Sequence, residues 1–246
     1  MRVNSSKAVV QAGWNHVPHL DADVKADLIE NTPVHLRDAR SEGEPSMGSG
    51  AIYPIAQSEF VVAPFAIPAY FAKGYGLDVG WNRTAAIFGA LDRDADVMYL
   101  YSEHYRGQAE PSIHADAIKA RGKWLTGAID PAANGRNQRD GEQLIANYRA
   151  LGLHLTNADN TVEAGILEVL QMLSSGRLKV FSTMVNWLAE HRTYQRDERG
   201  RIRKKDDHAM DASRYLVRTR SLVMKHAPVT AVATPGFQTA DPLGGY

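Results

Sequence analysis

The sequence predicts an α/β fold on a mixed central β-sheet, an antiparallel three-strand meander joined by parallel strands and flanked by helices. Three strand-like runs, Leu77 to Asp78, Thr84 to Leu91 and Val97 to Tyr105, follow one another with only the breaks Trp81-Asn-Arg83 and Asp92-Arg-Asp-Ala-Asp96 between them. Such short polar breaks join neighbouring antiparallel strands. Beyond residue 110 short apolar runs alternate with segments of helical period, the pattern of an α/β sheet. The chain has 246 residues, 44% of them hydrophobic, which is enough for one sizeable core.

Residues 1–70 read as an irregular lead-in, interrupted by Pro18, Pro33, Pro45, Pro54, Pro64 and Pro68. Within it Asp21 to Glu30 predicts one short helix, with Leu20 as a staple and acidic groups in the first turn. Arg40 to Gly50 reads as a Gly/Ser/Pro loop. Residues 71–222 carry the sheet pattern. After the meander come a helix over Ser112 to Gly122, a strand over Trp124 to Ile129, a helix over Gln138 to Leu151, a strand over Leu153 to Leu155 and a helix over Thr161 to Ser174. Ile166, Leu170 and Leu173 recur at helical spacing in the last of these, and that stripe is core packing. A final helix packs through Ala209, Ala212 and Leu216 and carries Asp207 and Asp211 one turn apart on another face. Residues 223–246, with Pro228, Pro235, Gly236, Pro242, Gly244 and Gly245, show no periodic apolar face and read as a flexible tail.

Composition removes several classes of function. There is no cysteine, so disulfides, thiolate chemistry and Cys-type metal sites are out, and oxygen-ligated hard cations remain. No Gly-x-x-x-x-Gly-Lys-Ser/Thr loop occurs, which excludes a P-loop ATPase within these residues. No apolar stretch approaches bilayer length and Met1-Arg-Val-Asn-Ser-Ser6 lacks a signal-peptide core, so a soluble, unexported chain is expected. Lys plus Arg and Asp plus Glu both number 28, so nucleic-acid binding would need local clusters rather than a net basic field.

The chemistry concentrates in acids at the ends of elements. Asp78 closes Gly74-Tyr-Gly-Leu-Asp78, Asp130 closes Thr126-Gly-Ala-Ile-Asp130, and Asp211 lies in the opening turns of the last helix. All three are expected to converge on one rim. Carboxylates about 4 Å apart repel by roughly 4 kcal/mol per pair at an effective dielectric near 20, so such a cluster calls for cations. Two Mg²⁺ or Mn²⁺ ions about 3.5 to 4 Å apart fit phosphodiester hydrolysis, with Asp78 as the natural bridging ligand. Asp206, Asp207 and Asp211 compete for the third place. His208 either positions water or phosphate or merely pairs with a carboxylate. Glu190 and Glu163 read as surface or pairing residues. Arg83, Arg136, Arg139, Arg199, Arg201, Arg203, Lys204 and Lys205 flank the acids and suit phosphate contacts that read no bases, although Arg199-Gly-Arg201 also reads as a solvated hairpin.

These acids, in this order around a meander, match a ribonuclease H-like layout, and further motifs narrow the resemblance. Trp14-Asn-His-Val-Pro-His-Leu-Asp21, Ala39-Arg-Ser-Glu-Gly43, Gly50-Ala-Ile-Tyr-Pro54, Gly76-Leu-Asp-Val-Gly80 and, most specifically, Asp207-His-Ala-Met-Asp-Ala-Ser-Arg-Tyr215 resemble the C-terminal nuclease region of the terminase large subunit of tailed bacteriophages. The resemblance implies a metal-dependent endonuclease that cuts concatemeric double-stranded DNA during packaging, with an ATPase domain, a small terminase subunit and a portal as partners in the host bacterial cytoplasm. It carries the metal-binding role to Asp78, Asp130 and Asp211, with Asp207 auxiliary, and makes the lead-in a link that follows an ATPase core. Two other classes stay open: a non-catalytic module that holds DNA or portal, and an actin- or sugar-kinase-like ATPase. The latter needs a second Asp-x-Gly loop, where Asp130 continues Pro-Ala-Ala-Asn134. Junction resolvases and transposases share the sheet and the carboxylates, so the fold alone does not choose the biology.

Overall fold

The computed structural model describes residues 14, 17, 20–31, 41, 50–134, 144–197 and 200–228. In the lead-in, α1 (Ala22–Glu30) forms where expected, and Asp21 caps it by accepting from Val24 N at 2.8 Å. It buries none of its residues. Residues 51–62, also within that stretch, bring Ile52, Tyr53 and Phe60 into the core, pass through the short helix α2 (Gln57–Phe60) and end in strand β1 (Val61–Val62).

The meander is β2 (Ala72–Asp78), β3 (Thr84–Asp92) and β4 (Val97–Arg106), antiparallel throughout. Then follow α3 (Pro111–Lys119), β5 (Thr126–Ile129), a 3₁₀ turn (Pro131–Asn134), α4 (Leu144–Ala150), β6 (His154–Asn157) and α5 (Val162–Ser174). The chain continues through β7 (Leu178–Phe181), α6 (Val185–Thr193) and the long α7 (His208–Val223). Among the described residues seven strands make one sheet in the order β1-β7-β4-β3-β2-β5-β6, with β5, β6, β7 and β1 in parallel pairings. The mixed sheet expected from the sequence is therefore present. Among the described residues no helix is long and apolar enough to cross a membrane.

Several boundaries differ from expectation for identifiable reasons. Strand β2 begins at Ala72, five residues before the expected Leu77, because Gly74 and Gly76 hide its strand character. Those glycines are required by the helix that crosses them: a Cβ on Gly76 would stand 1.9 Å from the carbonyl oxygen of Ala212, and one on Gly74 2.8 Å from that of Val223. Helix α3 ends at Lys119, short of Gly122, which takes φ +147°. Strand β7 and helix α6 were not expected, since the helical pattern ends at Ser174 and Leu178-Lys-Val-Phe181 is too short to declare itself. The expected helix start over 138–143 and the tail over 229–246 lie outside the described residues.

The pleat divides the core between the two faces. Ala72, Ala85, Ile87, Met98, Leu100 and Ala128 pack with residues of α5, α6 and α7, while Tyr75, Leu77, Phe88 and Ile129 pack with Ile118, Ile145 and Tyr148 of α3 and α4. Side chains alternate along a strand. Asp78 shares the parity of Gly74 and Gly76, and Asp130 that of Ala128, so both acids belong to the face that α7 covers.

His191 on α6 is 7% exposed and stacked with Trp187 at 5.4 Å and with Tyr53 at 6.3 Å, and among the described residues neither ring nitrogen has a hydrogen-bond partner. Burial, with Arg192 adding to it, pushes its pKa down from 6.5 to about 4. On acidification the unfolded imidazole takes up its proton near 6.5 and the folded one only near 4, so stability intact above pH 6.5 is lost between 6.5 and 4. The loss is of order 3 kcal/mol at the acid end. His191→Phe should flatten this decline, as measured by urea midpoints at pH 7 and pH 4.5.

Candidate functional site

The site forms where β2 and β5 end side by side. Leu77 pairs with Ile129, and Asp130 N donates to Leu77 O at 3.4 Å, which sets Asp78 and Asp130 next to each other at the carboxyl ends of parallel strands. Asp211 comes from the first turn of α7, which reaches the pair because the glycines of β2 let its backbone lie against the strand. One turn further on, the Tyr215 hydroxyl has its pKa pushed far up by burial and then by the negative charges of Asp211, Asp130 and Asp78. The charges of all three carboxylates thus act on the same phenol.

Their partners are specific. Burial raises the pKa of Asp78, the hydrogen bond with His208 lowers it, and the charges of Asp211 and Asp130 raise it further. His208 Nδ1 lies 2.8 Å from Asp78 Oδ2, and that bond lifts the imidazole pKa. His208 therefore pairs with a carboxylate. Asp211, 8% exposed, accepts from Arg214 at Oδ1 and from Lys204 Nζ at Oδ2, both at 3.0 Å. Lys204 Nζ is also 3.0 Å from Asp207 Oδ2, an ion pair, and among the described residues that buried oxygen has no hydrogen-bond donor. Burial works against the Lys204 charge, and the carboxylates of Asp211 and Asp207 outweigh it and raise its pKa. Asp206 takes φ +52° just before the helix and is exposed, which leaves Asp207 and Asp211 as the acids turned inward.

Glu190 matches its pairing reading in an unforeseen way. It is 3% exposed; its Oε2 accepts from Ala209 N at 2.6 Å and Met210 N at 3.2 Å, and its Oε1 accepts the Tyr105 hydroxyl at 2.5 Å. A carboxylate from α6 thus caps α7, where N–H groups lack partners and the helix dipole favours negative charge. Burial raises its pKa, and the Tyr105 and backbone bonds oppose that rise. Glu190→Ala should cost about 2–3 kcal/mol, since charged hydrogen bonds are lost and buried donors remain. Glu190→Gln should cost about half as much, and urea unfolding of both variants checks the pair. Glu163 forms an exposed pair with Arg196 at 2.6 Å.

The basic residues divide. Arg83 lies over the Tyr105 ring at 4.6 Å, beside Asp78's strand end. Arg196 is bridged to Ile202, Gly200 takes φ +74° and Arg201 is bonded to Asp197. Arg203 and Lys205 are exposed, while Lys204 turns in to the carboxylates. Arg136, Arg139 and Arg199 lie outside the described residues. No sequence motif singled out Asn160, which donates to Asp130 Oδ1 at 3.2 Å and accepts from Arg214 at 2.9 Å. Arg214 and Tyr215 stood within the most specific motif but carried no role.

Chemically the inward donors are all carboxylate oxygens, the set a hard divalent cation takes. Asp207 Oδ2, buried without a hydrogen bond, and Asp78, held in mutual repulsion, both fit such an ion. Among the described residues no three His, Asp or Glu side chains already stand in a metal-holding arrangement. Lys204 and Arg214 neutralise part of the charge instead.

Known proteins place this geometry. The terminase RNase H-like domain family model matches residues 75–219. The terminase large subunit of Enterobacteria phage LP7 is 34% identical over 220 residues, covering 86% of this chain and 46% of the relative. The chain thus spans about half the length of the curated relatives it matches. The P22 large terminase nuclease domain superposes with a TM-score of 0.67 at 32% identity, over 74% of this chain and 97% of that one. The large terminase of a thermophilic bacteriophage, solved with ADP, shares the fold at a TM-score of 0.61 and 21% identity, over 85% and 55% of the two chains. With more than half its length matched by the family model, and a nuclease-domain relative covered almost entirely, this chain belongs to the terminase RNase H-like domain family.

Proposed function

We propose that the chain is the endonuclease of a phage DNA-packaging terminase, which cleaves concatemeric double-stranded viral DNA by two-metal-ion phosphodiester hydrolysis. The observation that carries this is the placement of Asp78 and Asp130 at adjoining strand ends, with Asp211 tied to Asp130 through Arg214 and Asn160. Asp78, Asp130 and Asp211 would hold the ions, with Asp207 as an auxiliary ligand. When bound, two Mg²⁺ or Mn²⁺ ions supply Lewis-acid stabilisation of the leaving oxygen and make a bound water acidic enough to attack.

The protein's own groups do the rest. His208 steadies Asp78 through Oδ2, and Arg214 steadies Asp211 through Oδ1. Arg83, Arg203 and Lys205 contact phosphates at the rim, joined by Arg136 and Arg139. Lys204, paired here with Asp211 and Asp207, would be free to meet a phosphate if cations took over the neutralisation of those carboxylates. Such contacts neutralise the backbone without reading bases, so cutting has little sequence preference and weakens steeply with salt. In the longer protein the partners are an ATPase domain, a small terminase subunit and the portal. The protein then works in the host bacterial cytoplasm, transiently at the procapsid, and this nuclease unit alone is monomeric.

The test is supercoiled plasmid incubated with the protein in Mg²⁺, Mn²⁺ or EDTA, beside folded Asp78→Ala and Asp130→Ala variants. Nicking that needs metal and disappears in both variants supports the reading. A folded wild type that leaves DNA intact in every metal replaces it with a DNA- or portal-holding module.

A further inference from the structure

Asp130 and Asp211 belong to different elements, one following β5 and the other in α7, and their spacing needs a tie. One side chain provides it. Asn160, in the loop between β6 and α5, donates from Nδ2 to Asp130 Oδ1 at 3.2 Å and accepts at Oδ1 from the Arg214 guanidinium at 2.9 Å. The other arm of Arg214 donates to Asp211 Oδ1 at 3.0 Å. A carboxylate only accepts and a guanidinium only donates, so a bridge between them requires a group with both capacities, and the amide orientation follows without ambiguity.

Both ends of the bridge are anchored. Ala158 N donates to Ile129 O at 2.8 Å and Asp159 N to the Thr219 hydroxyl at 3.1 Å, which fastens the loop to β5 and α7. Arg214 is 1% exposed, and its stem passes over Gly165, where a Cβ would stand 2.6 Å from Arg214 Cγ. The bridge meets Oδ1 of both aspartates. Asp130 Oδ1 is held from a second side by Ala132 N at 3.0 Å, which leaves Asp130 Oδ2 for other partners, while Asp211 Oδ2 meets Lys204.

We infer that Asn160 is a positioning residue that, through Arg214, fixes the distance and rotation of Asp130 and Asp211 for divalent-cation binding. This rests on the metal-nuclease reading above. Asn160 itself is exposed, so replacing it removes the bridge with little loss of packing.

The experiment measures Mn²⁺ uptake by the full chain without DNA, from the electron paramagnetic resonance of free Mn²⁺, for wild type, Asn160→Ala and Asn160→Leu. Melting curves run alongside, and plasmid nicking is titrated with Mn²⁺. Both variants should melt cooperatively near the wild-type temperature. Both should need roughly 10- to 100-fold more Mn²⁺ for half-saturation, the usual cost of losing an outer-sphere partner. The nicking rate at saturating Mn²⁺ should change less than the half-saturation point, a split that a general loss of stability would not produce. Half-saturation within twofold of wild type in both folded variants overturns the inference and leaves the nuclease reading intact. A wild type that binds Mn²⁺ without cutting overturns the nuclease reading and leaves the bridge standing; one that takes up no Mn²⁺ overturns both.

Discussion

Asp78→Asn is expected to remove metal-dependent nicking by roughly a thousandfold or more while the protein melts at the same or a higher temperature. The kinetic part follows from position: Asp78 stands at the strand end where the charges of both other acids act on it, and an amide in its place halves the donor oxygens and removes the charge. Losing several kcal/mol of transition-state stabilisation corresponds to about three orders of magnitude in rate. The thermal part follows from electrostatics. Asp78 is largely buried, and the charges of Asp211 and Asp130 add to burial in raising its pKa, so its ionised form works against folding at neutral pH. Asparagine relieves that repulsion and can still accept from His208, whose Nδ1 lies 2.8 Å from Asp78 Oδ2. Initial nicking rates at saturating Mn²⁺, with circular-dichroism melts of the same preparations, check both halves. A rate within tenfold of wild type, or a melting temperature several degrees lower, would contradict the role given to Asp78.

Gly76→Ala should produce the largest loss of stability of any single methyl group added to this sheet, about 3 kcal/mol or more. Its Cβ would stand 1.9 Å from the Ala212 carbonyl oxygen, 2.9 Å from the Ala212 carbonyl carbon and 3.0 Å from Leu216 N. These are backbone atoms of a helix, which cannot rotate away as a side chain can, so α7 as a whole must move off the strand. Gly89→Ala makes the contrast: its Cβ would meet Leu216 Cδ2 at 2.8 Å and Met224 Cε at 3.1 Å, both ends of flexible side chains, and its cost should be markedly smaller. Urea unfolding of the two variants tests the ranking. Because Asp211 rides on the displaced helix, whatever Gly76→Ala protein remains folded should also need more metal to cut.

Much of this architecture was legible because its signals are local. Thr84 to Leu91 and Val97 to Tyr105 announce their strands through runs rich in apolar and aromatic residues between short polar breaks, and Asp78 and Asp130 stand out by ending short apolar runs. The terminase resemblance rested on several contiguous motifs, most specifically Asp207 to Tyr215, and the family match bears it out. What stayed hidden depends on partners distant in sequence. The first five residues of β2 look unlike a strand because their glycines answer to a helix far along the chain. Glu190 caps a helix that begins well beyond it, and Asn160 sits in a polar loop whose spacing points to no chemistry until Arg214 is seen beside it.

The joining of distant segments at the rim also governs when the protein becomes able to act. The bond between His208 and Asp78 closes a separation of 130 residues, and closure over such a span is paid in chain entropy before any contact rewards it. During synthesis the meander and β5 are complete well before Asp211 leaves the ribosome, and until α7 lies against the glycines of β2 the two strand-end acids have no third member. The three-carboxylate rim is accordingly one of the last features of the molecule to mature, and local release of α7 would take Asp211 away from it while most of the sheet stayed intact.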